Sequence, residues 1–401
     1  MAREKRILIW VLVACLVSAT VFYGYYRVSV VNTRGKDHVN AGFILIGDES
    51  TPYSANFIRA IDAMEMQLGD RVSVSIKSNV AVDDAEAAIR ELCEIGCDIV
   101  ITNSYEYGFT AKALAPDYPD IQFCSATCDN ANEEPMLDNY HTFMGEIAEG
   151  WYVSGLVAGT KLNELIDSGT ITPEEAWIGE VGAYPYAEVV SGFTAFLLGA
   201  RQVCPTARLK VRYIYSWSNY TLERECASRL INEGCVIITQ ATDTIGPAVE
   251  CENARVTHPV FHVSYNQSMT DVAPTTSITG PRIDWSPYIC GAVEAVLEEK
   301  LIEDAVSGNV HGNDIGAGFE KGWVRMLELN SSIAPAGSEE TVRQAIEDII
   351  SGKSHIFQGD YLAVDPNDPN DVWDLNTEYL ENANASAPSF HYILQDIVVE
   401  E

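Results

Sequence analysis

The chain has 401 residues, of which 25 are basic and 58 acidic, for a net charge of −33. That length exceeds one ordinary domain, and a 47% hydrophobic content suffices for two sizeable cores. So acidic a surface repels phosphate backbones and anionic lipid, which excludes nucleic acid as a partner and fits an exported, highly soluble body.

Residues 1–36 stand apart, with six basic residues and one acidic, which leaves 19 against 57 for the rest. A basic start (Arg3, Lys5, Arg6) precedes the uncharged run from Ile7 to Tyr26, long enough to cross a bilayer as an apolar helix. Within it Leu12-Val13-Ala14-Cys15 has the form of a bacterial lipobox, which makes Cys15 a candidate lipidation site. The apolar residues that continue to Tyr26 fit an uncleaved signal anchor instead. Either reading tethers the chain to the cell membrane with its bulk on the extracytoplasmic face.

Beyond this segment, strand and helix patterns alternate. Phe43 to Ile46 reads as a strand, Gly47 to Pro52 as a polar turn, and Phe57, Ile58, Ile61 and Met64 as one face of a helix. Val72 to Val80 is a second strand, Asp83 to Cys93 a helix, and Gly96 to Thr102 and Ile121 to Ala126 are further strands. A helix from Glu146 to Leu165 carries Gly155, Ala158 and Gly159, small residues suited to close packing. The pattern then restarts with strands at 177–184, 208–215, 234–240 and 260–266, separated by helices. The second half repeats the first in order and in strand chemistry: Cys97-Asp98-Ile99-Val100-Ile101-Thr102 is echoed by Cys235-Val236-Ile237-Ile238-Thr239. Such alternation specifies an α/β fold of two doubly wound parallel-sheet lobes joined by a hinge. The expected lobes are 41–143 with 278–310, and 144–277 with 311–364, followed by an acidic, loop-rich segment over 365–401.

Catalytic templates are absent: there is no Gly-x-Ser-x-Gly, His-Glu-x-x-His, phosphate-binding Gly-x4-Gly-Lys or dinucleotide glycine pattern. His258 and His262 are four apart, but Pro259 and the β run after it deny them a common helical face, so His262 reads as a core histidine. Cys93-x3-Cys97 and Cys124-x3-Cys128 lack the spacing of a zinc knuckle, and the nine cysteines beyond Cys15 are free thiols or disulfides. The turn Asp365 to Asp371 is rich in oxygen ligands but lacks the glycine and glutamate that close a calcium loop. No cofactor or metal is expected.

In a parallel sheet, ligands bind at the carboxyl ends of the strands. The residues expected there are Asp48, Tyr53 and Asn56 after the first strand, and Asn103, Ser104 and Tyr105 after the third. The second half supplies Tyr184 and Tyr186, Trp217 with Asn219, Asp243, and Asn266. Aromatic faces stack on nucleobases or sugars, while amides and carboxylates bind hydroxyls and ring nitrogens.

From about 41 to 360 the chain resembles the basic membrane protein group of ABC-transporter substrate-binding proteins. These are purine-nucleoside-receptor-like lipoproteins with the type 1 periplasmic-binding fold. The resemblance rests on Ile46-Gly47-Asp48 followed by Ser54-Ala55, and on Phe143 with Glu149-Gly150-x-Tyr152-x-x-Gly155. It continues through Ile178-Gly179-x-Val181-Gly182 with Gly192-Phe193, Gly234-Cys235-Val236-Ile237, and Val263-x-x-Asn266-Gln267 leading to Thr276-Ser277. It implies a monomeric, non-enzymatic receptor that closes on a nucleoside or a related purine or sugar and delivers it to an ABC-transporter permease. On that pattern Asp48 matches the first-strand aspartate, Trp217 the aromatic that stacks on the base, and Asn266 the position of a ribose-binding aspartate. The chain departs from the pattern at Thr51-Pro52, where the family has Phe-Asn, and in lacking the lysine after Thr-Ser, with Arg282 the nearest cation. Tyr53 is then the replacement for the lost aromatic contact. Two other readings are a membrane-anchored ligand-sensing ectodomain that signals to a partner, and an exported nucleoside hydrolase.

Overall fold

The structure, a computed structural model, describes residues 35–400. The predicted N-terminal apolar helix and Cys15 lie outside them. Two parallel sheets build the molecule. The first half supplies β1 (Val39–Ile44), β2 (Val72–Lys77), β3 (Ile99–Thr102), β4 (Gln122–Ala126) and β5 (Tyr140–Gly145), with helices α1 (Pro52–Leu68), α2 (Ala85–Glu94) and α3 (Tyr105–Leu114) between them. Helix α1 begins as its sequence dictates: Thr51 is extended at the N-cap, and Pro52, which has no N–H to leave unpaired, takes the first turn. The second half supplies α4 (Ala148–Asp167), β6 (Trp177–Gly182), α5 (Ala187–Val203), β7 (Arg208–Tyr213), α6 (Tyr220–Asn232), β8 (Ile237–Ala241), α7 (Gly246–Ala254) and β9 (Phe261–Val263).

Strand order makes the internal repeat explicit. The first sheet contains the run β2-β1-β3-β4 and the second the run β7-β6-β8-β9, every neighbouring pair parallel. In each lobe the first strand lies between the second and the third, and that reversal opens a crevice at the carboxyl ends. Two short strands, β10 (Pro281–Ile283) and β13 (Val324–Met326), pair with each other outside the main sheets. Helix α8 (Ser286–Glu298) packs on α1, where Trp285 stacks on Phe57 with ring centroids 4.5 Å apart.

Two boundaries differ from those the sequence suggests. Residues 311–317, expected in the second lobe, belong to the first sheet, where β12 (Asp314–Ala317) lies parallel to β5 and forms a hairpin with β11 (Asn309–His311). The segment after 365 is more ordered than its acidic composition suggests. Strands β14 (Leu362–Asp365), β15 (Asp368–Asp374) and β16 (Ile393–Leu394) form a small sheet, and β17 (Val398–Glu400) adds to the edge of the second sheet beside β7. This segment is fastened to both lobes. The buried Asp314 carboxylate accepts from Ser386 N (2.5 Å) and Oγ (2.6 Å), while Glu381 accepts from Ser191 Oγ on α5 (2.6 Å).

His262 is fully buried with Nε2 3.0 Å from Gln240 Oε1, and burial pulls its pKa down to about 3, so it is a neutral core histidine. The nine described cysteines are all buried free thiols. Helices α4 and α5 form the closest-packed pair of the second lobe, backbone against backbone. A Cβ on Gly155 would stand 2.1 Å from the Phe196 carbonyl oxygen, and one on Gly199 2.1 Å from that of Tyr152.

A backbone carbonyl cannot yield as a side-chain tip can. Gly155→Ala is therefore expected to lower the free energy of unfolding by roughly 1–3 kcal/mol, overriding the helix-propensity gain of about 1 kcal/mol. Chemical denaturation checks this, and a stabilised variant would contradict the close approach.

Candidate functional site

A cavity lies where the carboxyl ends of the two sheets face each other. The first lobe lines it with Ile46 after β1, Tyr53 of α1, Asn103, Ser104 and Tyr105 after β3, and Thr127 after β4. The second lobe and the crossover contribute Trp151, Glu188, Val189, Trp217, Ala241, Asp243 and Tyr265. Each comes from a strand end or the first turns of the following helix, where the chain leaves the sheet.

Six of the twelve residues expected from the sequence line this cavity: Tyr53, Asn103, Ser104, Tyr105, Trp217 and Asp243. Tyr53 is pinned by its hydroxyl, which donates to the Asn103 carbonyl at 2.5 Å, and by edge contacts with Phe57 and Trp285. Asn103 is fixed in turn, its Oδ1 accepting from Ile46 N at 2.8 Å. Trp217 and Asp243 are positioned together, because Asp243 N–H donates to the Trp217 carbonyl at 2.9 Å.

The other six stand elsewhere. Asp48 spends its carboxylate on Asn79 of the loop after β2 and on its own loop, accepting from Asn79 Nδ2 (2.8 Å), Ser50 Oγ (2.6 Å) and Ser50 N (2.9 Å), which lower its pKa to about 2. Asn219 caps α6, its side chain accepting from Leu222 N. Asn56 donates to Asn266 Oδ1 at 2.8 Å, and both are buried outside the cavity wall. That bond ties α1 to the crossover after β9, and Asn266 holds a left-handed conformation (φ 62°) that asparagine tolerates better than most residues. Tyr184 stands at the rim, stacked on Tyr186 (5.1 Å) and tilted against Trp217 (5.4 Å).

Sequence reasoning missed Glu188, Tyr265, Trp151 and Thr127. Glu188 lies in the first turn of α5, one step past the strand-end loop where ligand contacts are expected. Tyr265 directly precedes Asn266, Thr127 follows β4, and Trp151 falls within the Glu149-Gly150-x-Tyr152 motif.

Electrostatically the site is one-sided. Among the described residues lining it, none is Lys, Arg or His, yet Glu188 and Asp243 both face it. Burial pushes the Glu188 carboxyl up to about 7, helped by the charge of Glu106 and opposed by hydrogen bonding from Tyr265. Burial, and then the charges of Glu223 and Glu188, hold Asp243 well above the usual carboxylate range. Among the described residues, no group donates a hydrogen bond to the Asp243 carboxylate. Glu223, fully buried, supports it from behind by accepting from Thr242 Oγ1, Thr244 N and Thr244 Oγ1 at 2.7–3.1 Å, fixing the loop on both sides of Asp243. The result is an aromatic cleft with two acidic side chains, of which Glu188 is partnered by Tyr265 and Asp243 has no donor among the described residues. It suits a flat ligand that presents N–H or O–H groups, and it repels an anion.

Comparison with known proteins agrees with this geometry. A Brucella abortus protein named as purine-binding is 27% identical over 328 residues, covering 81% of this chain and 84% of the relative. A Haloferax volcanii protein named as a putative ABC transporter glucose-binding protein is 27% identical over 323 residues, 80% of this chain and 76% of the relative. The fold is shared with a solved ABC transporter solute-binding protein of Aeropyrum pernix K1 (TM-score 0.63, 14% identity, 79% of this chain and 92% of the other). It is shared also with one of Conexibacter woesei (TM-score 0.57, 17% identity, 79% and 97%). The family described as ABC transporter substrate-binding protein, PnrA-like, matches residues 46–355. With most of its length matched and its two lobes facing each other across an aromatic cleft, this chain belongs to the PnrA-like ABC transporter substrate-binding proteins.

Proposed function

We propose that the ligand is an unphosphorylated purine, as free base or nucleoside, captured between the lobes on the extracytoplasmic face and passed to a membrane permease. The observation that carries this reading is a cleft walled by Tyr53, Tyr105 and Trp217 whose lining charges are the carboxylates of Glu188 and Asp243, with no cation among the described lining residues. A purine supplies what such a wall lacks, a flat π face to stack on the rings and ring or exocyclic N–H donors for the acids. A phosphate would meet only repulsion there. The name of the Brucella relative supports the purine, and that of the Haloferax relative makes glucose the compound to test against it. The family supports delivery to a permease, and the apolar segment before residue 35 supports the reading that the chain is tethered to the surface. A retained anchor would favour the sensing ectodomain, and mass spectrometry of the native N-terminus separates a lipidated Cys15 from an intact Met1.

A thermal-shift panel of adenine, guanine, hypoxanthine, adenosine, inosine, AMP and glucose tests the ligand class. Bases or nucleosides are expected to raise the melting temperature and AMP to leave it unchanged. A shift with glucose alone, or with AMP, would overturn the reading. Asp243→Asn keeps the shape and an acceptor oxygen but removes the charge, and is expected to weaken purine binding by about tenfold, the difference between a hydrogen bond to a charged acceptor and one to a neutral acceptor.

The pH dependence has a definite sign. In the ligand-free fold the Glu188 carboxyl sits at about 7 against an ordinary 4.5. Its contribution to stability is therefore complete below the lower value and lost as the pH rises through the higher one. A ligand that donates to Glu188 favours the ionised form, so affinity rises across that same interval, and Glu188→Gln flattens the rise. Calorimetry from about pH 5 to about pH 9 checks this, and a wild-type profile without slope contradicts it.

A further inference from the structure

Glu106 does not line the cavity, yet it joins the two lobes at its mouth. It lies in the first turn of α3, and its carboxylate is oriented within its own lobe by Ser104, whose Oγ donates to Oε2 at 2.6 Å. The other oxygen, Oε1, accepts from Nε1 of Trp217 at 3.3 Å. Trp217 follows β7 in the opposite lobe and presents its ring to the cavity. Two ring contacts run beside this bond: Tyr105 of the first lobe stands 6.3 Å from Tyr186 of the second, and Tyr186 6.0 Å from Trp217.

We infer that Glu106 is a positioning residue for ligand capture, holding the Trp217 indole at the angle at which it stacks and latching the lobes in the closed state. The inference rests on the purine reading of the cleft. An indole has a single donor and no acceptor. Once that donor is committed to Glu106, rotation of the ring within the rim is arrested, and a stacking ligand meets a preorganised face rather than a mobile one. Glu106 and Trp217 also belong to different lobes, so the bond exists only when they are together. It therefore favours the closed state, and a ligand that binds that state best gains apparent affinity in proportion. Glu106 has a second effect at the same place, because its charge helps to raise the Glu188 carboxyl, so the residue that closes the cleft also tunes an acid inside it.

The test is a double-mutant cycle on the full chain, read by calorimetry with adenine or, if another base or nucleoside of the panel gives the larger thermal shift, with that compound. Trp217→Phe keeps an aromatic face but has no N–H, Glu106→Ala removes the acceptor, and Glu106→Gln keeps an acceptor oxygen without the charge. Each of the first two variants is expected to weaken binding by about tenfold, the double variant no further than either alone, and Glu106→Gln to recover most of the affinity. Glu106→Gln should also move the pH midpoint of binding downward, since Glu188 loses a neighbouring negative charge, a shift that a purely structural role would not produce. Losses that add, or a Trp217→Phe variant that binds like wild type while Glu106→Ala does not, would overturn the latch and leave the ligand class standing. Failure of the wild type to bind every base and nucleoside of the panel would overturn the reading on which the latch rests.

Discussion

The feature on which the site depends is a carboxylate held in a desolvated place without a cation to answer it. Burying a charge is costly unless it is paired. The neighbours of Asp243 add to that cost, since Glu223 and Glu188 are themselves acidic. The loop stays in place because Glu223 collects three hydrogen bonds from Thr242 and Thr244, and because the Asp243 amide is tied to the Trp217 carbonyl. The scaffold thus holds the acid in a high-energy setting that a donor-bearing ligand relieves. Attraction for such ligands and repulsion of anions come from one arrangement.

The two-lobe architecture makes that arrangement possible. Matching strand orders in the two sheets bring two carboxyl edges to one cleft, so that Asn103 and Asp243, which follow corresponding strands of the two lobes, line the same space. The part of the chain beyond the family match then ties the lobes together behind the crossover. Ser386 docks on Asp314 of the first sheet, and its side chain fits there because Gly316 has none, a Cβ at that position falling 2.8 Å from that of Ser386. Glu381 meanwhile engages Ser191 on α5.

Much of this is legible in the sequence, and the gaps have physical causes. Strands buried on both faces announce themselves as apolar runs, which is why β3 and β8 can be read directly and their kinship noticed. Strand β5 is as fully buried as these but does not stand out, because His141 and Thr142 break the run. Their polarity is satisfied inside the core, His141 by Gln122 and Glu303 and Thr142 by Asp314, and a sequence does not display such partners. The rule that ligands gather at strand ends finds Tyr53, Asn103 and Trp217. It also draws in Asp48 and Asn219, which occupy strand-end loops but spend their oxygens on backbone amides and near neighbours. Strand ends are where polar residues cap and turn the chain as well as where they bind, and composition does not separate the two tasks. Glu188 escapes the rule because it lies beyond the loop, in a helix that turns its first face inward.

What the protein carries tests the purine cleft most directly. The full chain, purified without denaturation and then unfolded, should release a purine base or nucleoside without phosphate, about one per chain, identifiable by mass spectrometry of the small-molecule fraction. Release of a sugar or of a phosphorylated compound in the same proportion would contradict a cleft built for an uncharged purine.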